Sequence, residues 1–209
     1  MSPPPKHISD RVLIIEYVGG SNHLSQFYTG KKMKIWFTSD THFGHESVIG
    51  FSERPFKSIT HMNEELIKRW NERVAPNDIV FFLGDFCFKS SSVKAIHFIE
   101  RLNGNITFIQ GNHDHNNGTK ACIWDCSINL GSDHIYLIHD PSYAHSVIDY
   151  FNIVFHGHTH SKEPFSYYQG KLFVNVCVEA WDYYPVSYET IKKVLKKYEA
   201  KNGKRKYNR

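Results

Sequence analysis

Five short clusters of aspartate, histidine and asparagine interrupt this chain, each where an apolar run ends. They are Asp40-Thr41-His42, Gly84-Asp85, Gly111-Asn112-His113-Asp114, His139-Asp140 and His156-Gly157-His158-Thr159-His160. Imidazole and carboxylate together suit manganese, iron, zinc or nickel, and the lack of cysteine among them argues against a closed structural zinc site. Asp-x-His and His-x-His spacings let both side chains of a strand-end loop converge on one region. The glycines before Asp85, Asn112 and His158 permit tight turns and close backbone approach. Histidine is abundant, with 14 in 209 residues. It titrates near neutrality and is the commonest metal ligand, so its placement at these five points carries more weight than its number.

The clusters need elements to hold them. Hydrophobic patterning predicts strands at 33–39, 79–83, 106–110, 134–138, 152–155 and 172–176. It predicts helices at 60–74, 91–102 and 190–198. In the first helix Met62, Leu66, Trp70 and Val74 recur at i,i+4, with Thr60 as the expected N-cap. In the second, Val93, Ile96, Ile99 and Leu102 share a side. The run at 79–83 is continuously apolar, as expected of a strand covered on both faces. Alternation of this kind predicts an α/β fold. In open α/β sheets ligands bind beyond the carboxyl ends of the strands, and five strands here end in a polar cluster.

Composition sets outer bounds. Hydrophobic residues make up 41% and charged residues 22%, an ordinary globular balance. No run approaches 18 apolar residues, so no membrane span is expected. The apolar run at 12–18 is broken by Glu16 and lacks a small-residue cleavage site, so no secretory signal is read. None of the four cysteines, Cys87, Cys122, Cys126 and Cys177, sits in a C-x-x-C pair. Free thiols in a reducing cytoplasm are expected, with Cys122 and Cys126 spaced for one face of a helix.

The net charge of +4 is unevenly placed. Residues 192–209 hold nine Lys and Arg against Glu199, which leaves residues 1–191 with 16 basic and 20 acidic residues. The predicted organisation is one domain over 33–199, an extension over 1–32 and a basic tail over 200–209. The extension reads equally as translation from an upstream start codon or as an extra hairpin with its strand at 12–18.

The ordered set Asp40-x-His42, Gly84-Asp85, Gly111-Asn112-His113-Asp114, His139 and Gly157-His158-x-His160 resembles the calcineurin-like metallophosphoesterase family. The match in order and separation runs from Ser39 to His160. The chain is most similar to small bacterial and phage members that open with a segment like its own Met33–His45 stretch. The resemblance implies a four-layer αββα sandwich, two mixed sheets flanked by helices. It also implies two divalent metal ions, manganese before iron, zinc or nickel. Asp40, His42 and His160 would hold one, Asn112, His139 and His158 the other, with Asp85 bridging. A hydroxide shared by the ions would attack phosphorus in line, and His113 matches the family's general acid. Asp114 and His156 read as supporting partners of the ligands, while His45 and Arg54 follow the first motif and are candidates to reach the phosphate.

The expected activity is hydrolysis of phosphoric esters. The continuation Gly84-Asp85-Phe86-Cys87-Phe88 departs from the acidic-Arg-Gly sequence of the protein Ser/Thr phosphatases and argues against that substrate. A chain of 209 residues leaves no room for a large cap. That favours a phosphodiesterase acting on a nucleotide or small diester. A nuclease guided by the basic tail is the alternative, with a phosphomonoesterase beside it. A metal-free partner-binding scaffold is disfavoured, because every expected ligand type is present.

Overall fold

The computed structural model describes residues 14–17, 33–88, 93–115, 117–119, 121 and 123–202. In chain order the elements are β1 (Ile14–Tyr17), β2 (Ile35–Thr38), α1 (Ser47–Phe51), α2 (Ile59–Arg73), β3 (Ile79–Leu83), α3 (Ala95–Ile99), β4 (Asn105–Ile109), β5 (Asp125–Leu130) and β6 (Asp133–Ile138). Then follow β7 (Ile153–His156), β8 (Phe165–Tyr168), β9 (Lys171–Asn175), β10 (Val186–Ser187) and α4 (Tyr188–Asn202). Short 3-10 turns cover Pro141–Ser146, Ile148–Tyr150 and Val178–Trp181.

The strands form two mixed sheets, ordered β1-β5-β6-β7-β9-β8 and β10-β2-β3-β4. Within them β2, β3 and β4 run parallel, as do β6, β7 and β9. Side chains alternate across each strand, so each sheet presents two faces. Phe37, Phe81, Leu83 and Ile109 meet Ile128, Leu137, Phe155 and Val174 in the core between the sheets. Trp36, Val80 and Phe82 point the other way, onto Met62, Leu66, Ile67 and Trp70 of α2 and Phe98 of α3. The far face of the larger sheet packs Tyr136, Ile138, Val154 and Phe173 against Ala144, Val147, Ile148 and Phe151. That outer layer consists of 3-10 turns rather than an α-helix, and α4 instead adds Tyr188 and Ile191 to the core between the sheets.

Several local expectations change. The N-cap of α2 is Ser58, not Thr60: its side chain accepts the His61 N–H at 3.2 Å, two residues earlier than the apolar spacing suggested. Within the predicted 91–102 helix, α3 spans only Ala95–Ile99, capped by Lys94 without a side-chain bond. Cys126 lies on β5, not on a helix, and Cys122 is outside the described residues. Part of the expected extension, within the apolar run at 12–18, forms β1, which pairs in parallel with Ser127–Leu130. The rest of 1–32, and residues 203–209 of the basic tail, lie outside the described residues.

Candidate metal centre

The carboxyl ends of both sheets meet. Beyond β2 the Asp40 N–H donates to Gly84 O at 2.9 Å and the His42 N–H to Asp85 O at 3.0 Å. From the other sheet the Gly157 N–H donates to His139 O at 3.0 Å, and Ser39 bridges to Cys177 beyond β9. One sheet therefore delivers Asp40, His42, Asp85 and Asn112, and the other delivers His139, His158 and His160.

The backbone at this junction is strained. Asp40, His42, Asp85, His158 and His160 have φ of 57°, 49°, 59°, 71° and 49°, a left-handed region that L side chains seldom occupy. Each such residue costs on the order of 1–3 kcal/mol, and such strain clusters where function needs it. Gly111 is required for a different reason, since a Cβ there would lie 2.4 Å from the Asp85 backbone nitrogen and closer still to its carboxylate.

The side chains gather into two adjoining groups, Asp40, His42 and His160, and Asp85, His139 and His158. In the first, His42 Nε2 lies 3.2 Å from His160 Nε2, while Asp40 Oδ1 is 3.9 and 3.7 Å from these two atoms. In the second, Asn112 Oδ1 is 3.0 Å from both His139 Nε2 and His158 Nδ1. Asp85 Oδ2 sits between them, 3.6 Å from His42 Nε2 and 3.4 Å from His139 Nε2. Carboxylate oxygens, an amide oxygen and ring nitrogens thus converge with few protons to share, a donor set that suits cations. All seven expected ligands are brought together. His134, near the start of β6, instead packs on Phe151 with ring centroids 4.9 Å apart.

Surrounding groups fix the rings. Leu83 O accepts from His139 Nδ1 at 2.8 Å, which leaves Nε2 for the centre. Glu179 Oε1 accepts from His160 Nδ1 at 2.8 Å with the same consequence. His158 turns its Nε2 toward Asp140 Oδ2 at 3.8 Å. The Asp114 carboxylate accepts from the N–H groups of Asp85, Phe86 and Gly111 at 2.7, 3.0 and 2.9 Å, a supporting role. His156 is buried and bonds Gly157 O at 2.9 Å.

Charge follows from burial and neighbours. Burial raises Asp40 above the ordinary carboxylate value and lowers His42 well below the ordinary imidazole value. Neutral imidazole is the form that binds metal. Burial opposes ionisation of Asp85, but bonding to His139 and the charges of His139 and His42 outweigh it and lower its pKa. Burial likewise disfavours a charged His139, yet Asp85 and Asp40 lift it to about 9.

His113 is exposed at the rim, its ring centroid 5.4 Å from that of His42. His45 is half-buried and stacks on Phe88 at 4.0 Å, beside His42. Arg54 departs from expectation. Its side chain is fully enclosed, and its guanidinium is committed to Glu179 and to the carbonyl oxygens of Thr41 and Asp40. It therefore backs the candidate ligand residues and is not open to solvent. Glu179 was not legible as part of this site. Its signal, one acid in the otherwise apolar Val176–Trp181 stretch, gains meaning only from its contact with His160.

A domain model described as the calcineurin-like phosphoesterase superfamily domain matches residues 33–177, and the chain belongs to that superfamily. It is 39% identical over 169 residues to the uncharacterized protein MJ1445 of Methanocaldococcus jannaschii, covering 78% of this chain and 92% of that one. It is 33% identical over 82 residues to the Gene 66 protein of Mycobacterium phage D29, covering 38% of this chain and 40% of the phage protein. Among solved structures, a protein of unknown function from Aquifex aeolicus, AQ665, shares the fold with a TM-score of 0.61 at 21% identity. It covers 78% of this chain and 100% of its own.

Proposed function

We propose that this protein hydrolyses phosphoric diesters using two divalent ions, manganese first among them. Asp40, His42 and His160 hold one ion, Asn112, His139 and His158 the other, and Asp85 lies between. The observation that carries this reading is the pair of adjoining donor groups with Asp85 Oδ2 within 3.6 Å of a histidine nitrogen of each. Two ions so placed lower the pKa of water and neutralise charge on both the entering and leaving oxygens.

The chain's own groups supply the rest. Asp40, His42, Asp85 and His139 are buried, whereas Asn112, His113 and His158 are exposed, so the ester approaches from the latter side. His113 stands there to protonate the leaving oxygen, and His45 flanks the same rim. An open rim accommodates both arms of a diester, a nucleotide or small diester in the first instance, and the free thiols Cys87, Cys126 and Cys177 suit a reducing cytoplasm.

A panel of phosphomonoesters, phosphodiesters, DNA and RNA assayed with Mn²⁺ tests the proposal. Diesters are expected to exceed monoesters at least about tenfold in kcat/KM, a difference of about 1.4 kcal/mol. A monoester preference would replace the diester reading, and cleavage confined to DNA or RNA would replace the small diester with a nucleic acid as substrate.

A further inference from the structure

We infer that Arg54 and Glu179 form a buried strut that holds one half of the metal centre, the Asp40–His42–His160 half, and meets the other half only indirectly, through the His158 N–H on Asp40 at 3.0 Å and the His42 N–H on Asp85 O at 3.0 Å. The inference rests on the two-ion reading above and deepens it.

Glu179 Oε1 accepts three bonds, from His160 Nδ1 at 2.8 Å and from Arg54 Nε and Nη2 at 2.9 and 2.7 Å. The same guanidinium donates from Nη2 to Asp40 O at 2.7 Å and from Nη1 to Thr41 O at 2.9 Å. One ion pair thus grips the imidazole of His160 and the backbone of the segment that carries Asp40 and His42. Both side chains are 0% exposed. Ser52 Oγ also approaches His160 Nδ1, at 3.3 Å, but as a longer and neutral contact.

The other half uses different supports. His139 is held by Leu83 O, and the Asp85 and Gly111 backbones by Asp114, which is itself bonded by Asn117 Nδ2 at 2.7 Å. None of these groups bonds Arg54 or Glu179. The strut joins the turn after α1 to the 3-10 turn Val178–Trp181 after β9, so it ties together two distant segments at the strained residues Asp40 and His160. Removing one member of a buried pair leaves the other charged and uncompensated. The disturbance is then transmitted to the ligands the pair touches, where lost support typically costs 10–100-fold in metal affinity.

The test is Mn²⁺ binding to chelator-stripped full-length protein, followed by equilibrium dialysis and electron paramagnetic resonance. Wild type is expected to bind two ions that show a coupled spectrum. Glu179→Ala should weaken one ion about 10–100-fold and leave the other within about 3-fold. At one equivalent the spectrum should be the uncoupled six-line signal. Glu179→Gln, which keeps an oxygen for Arg54 and His160, should fall between wild type and Ala, and it serves alone if the Ala variant does not fold. Two ions retained at unchanged affinity in Glu179→Gln and Glu179→Ala would overturn the strut, as would equal loss of both ions. A wild-type protein that binds no pair of ions would instead overturn the two-ion reading itself.

Discussion

The His113 N–H donates to Asp85 Oδ1 at 2.8 Å, so the rim histidine is fixed by its backbone to the carboxylate that stands between the two donor groups. The imidazole of His113 remains exposed while its main chain is held. This separates two roles within four consecutive residues. Gly111 and Asp114 build the loop, and Asn112 and His113 present side chains.

Asp85→Asn should remove both ions together, because Oδ2 of one carboxylate faces His42 at 3.6 Å and His139 at 3.4 Å. The substitution keeps the shape and discards the charge. Metal analysis after gel filtration is expected to find fewer than one ion per chain, with turnover reduced by on the order of 10³-fold or more, as for loss of metal-ion catalysis. Two ions retained at near-normal turnover would show that Asp85 is not shared.

His113→Ala should keep both ions, since no other donor in the two groups depends on its ring. A proton donor is worth roughly 10²–10⁴ in rate, and its worth depends on the leaving group. Hydrolysis of a nitrophenyl ester should fall modestly, because nitrophenolate departs unaided. Hydrolysis of an alkyl or nucleoside ester should fall much further. Equal losses on both substrates would point to a binding role, and loss of metal would make His113 a ligand.

Metal-free protein should lose stability as pH rises from about 6.5 to about 9. The pKa of His139 is raised from 6.5 to about 9, a shift in which Asp85 and Asp40 overcome the opposing effect of burial. A raised folded-state pKa stabilises fully below the unfolded value and ceases to do so above the folded one. Bound metal competes with that proton, so Mn²⁺ affinity should rise over the same interval. Melting temperatures with chelator and with Mn²⁺ should therefore diverge with pH. Parallel curves would show that His139 does not couple protons to metal.

Gly111→Ala should impair the centre without touching a ligand. Its Cβ would fall 2.4 Å from the Asp85 backbone nitrogen, and backbone cannot swing aside as a flexible side chain can. Overpacking of this kind costs about 1–3 kcal/mol. Chemical denaturation and Mn²⁺ titration should both register it; an unchanged midpoint with unchanged affinity would show that the loop has room.

The residues gathered at the candidate centre were legible in the sequence because each sits at the end of a strand and travels with a local motif. Strand 79–83 and Gly84 after it already announced Asp85. Supporting residues were less visible, because their meaning is made by distant pairing. Arg54 is 125 residues from Glu179, and nothing local says that its guanidinium turns inward. Strands β5, β8 and β10 also escaped prediction. The Asp125–Leu130 segment mixes cysteine, serine and asparagine with its apolar residues, and β10, two residues long, is too short to show a pattern before it pairs with β2. The helical layer on the outer face of the larger sheet was expected from family likeness, and the short, Pro-initiated segment at Pro141–Ser146 supplies a 3-10 helix there.

In the proposed function, two ions on this set of residues together enable phosphodiester hydrolysis. Chelator-stripped protein titrated with Mn²⁺ while bis(p-nitrophenyl) phosphate turnover is followed tests it most directly. Turnover should be absent without metal, remain low at one equivalent and reach its plateau at two equivalents bound. Full turnover without metal, a plateau at one ion, or an inert protein with two ions bound would each contradict it.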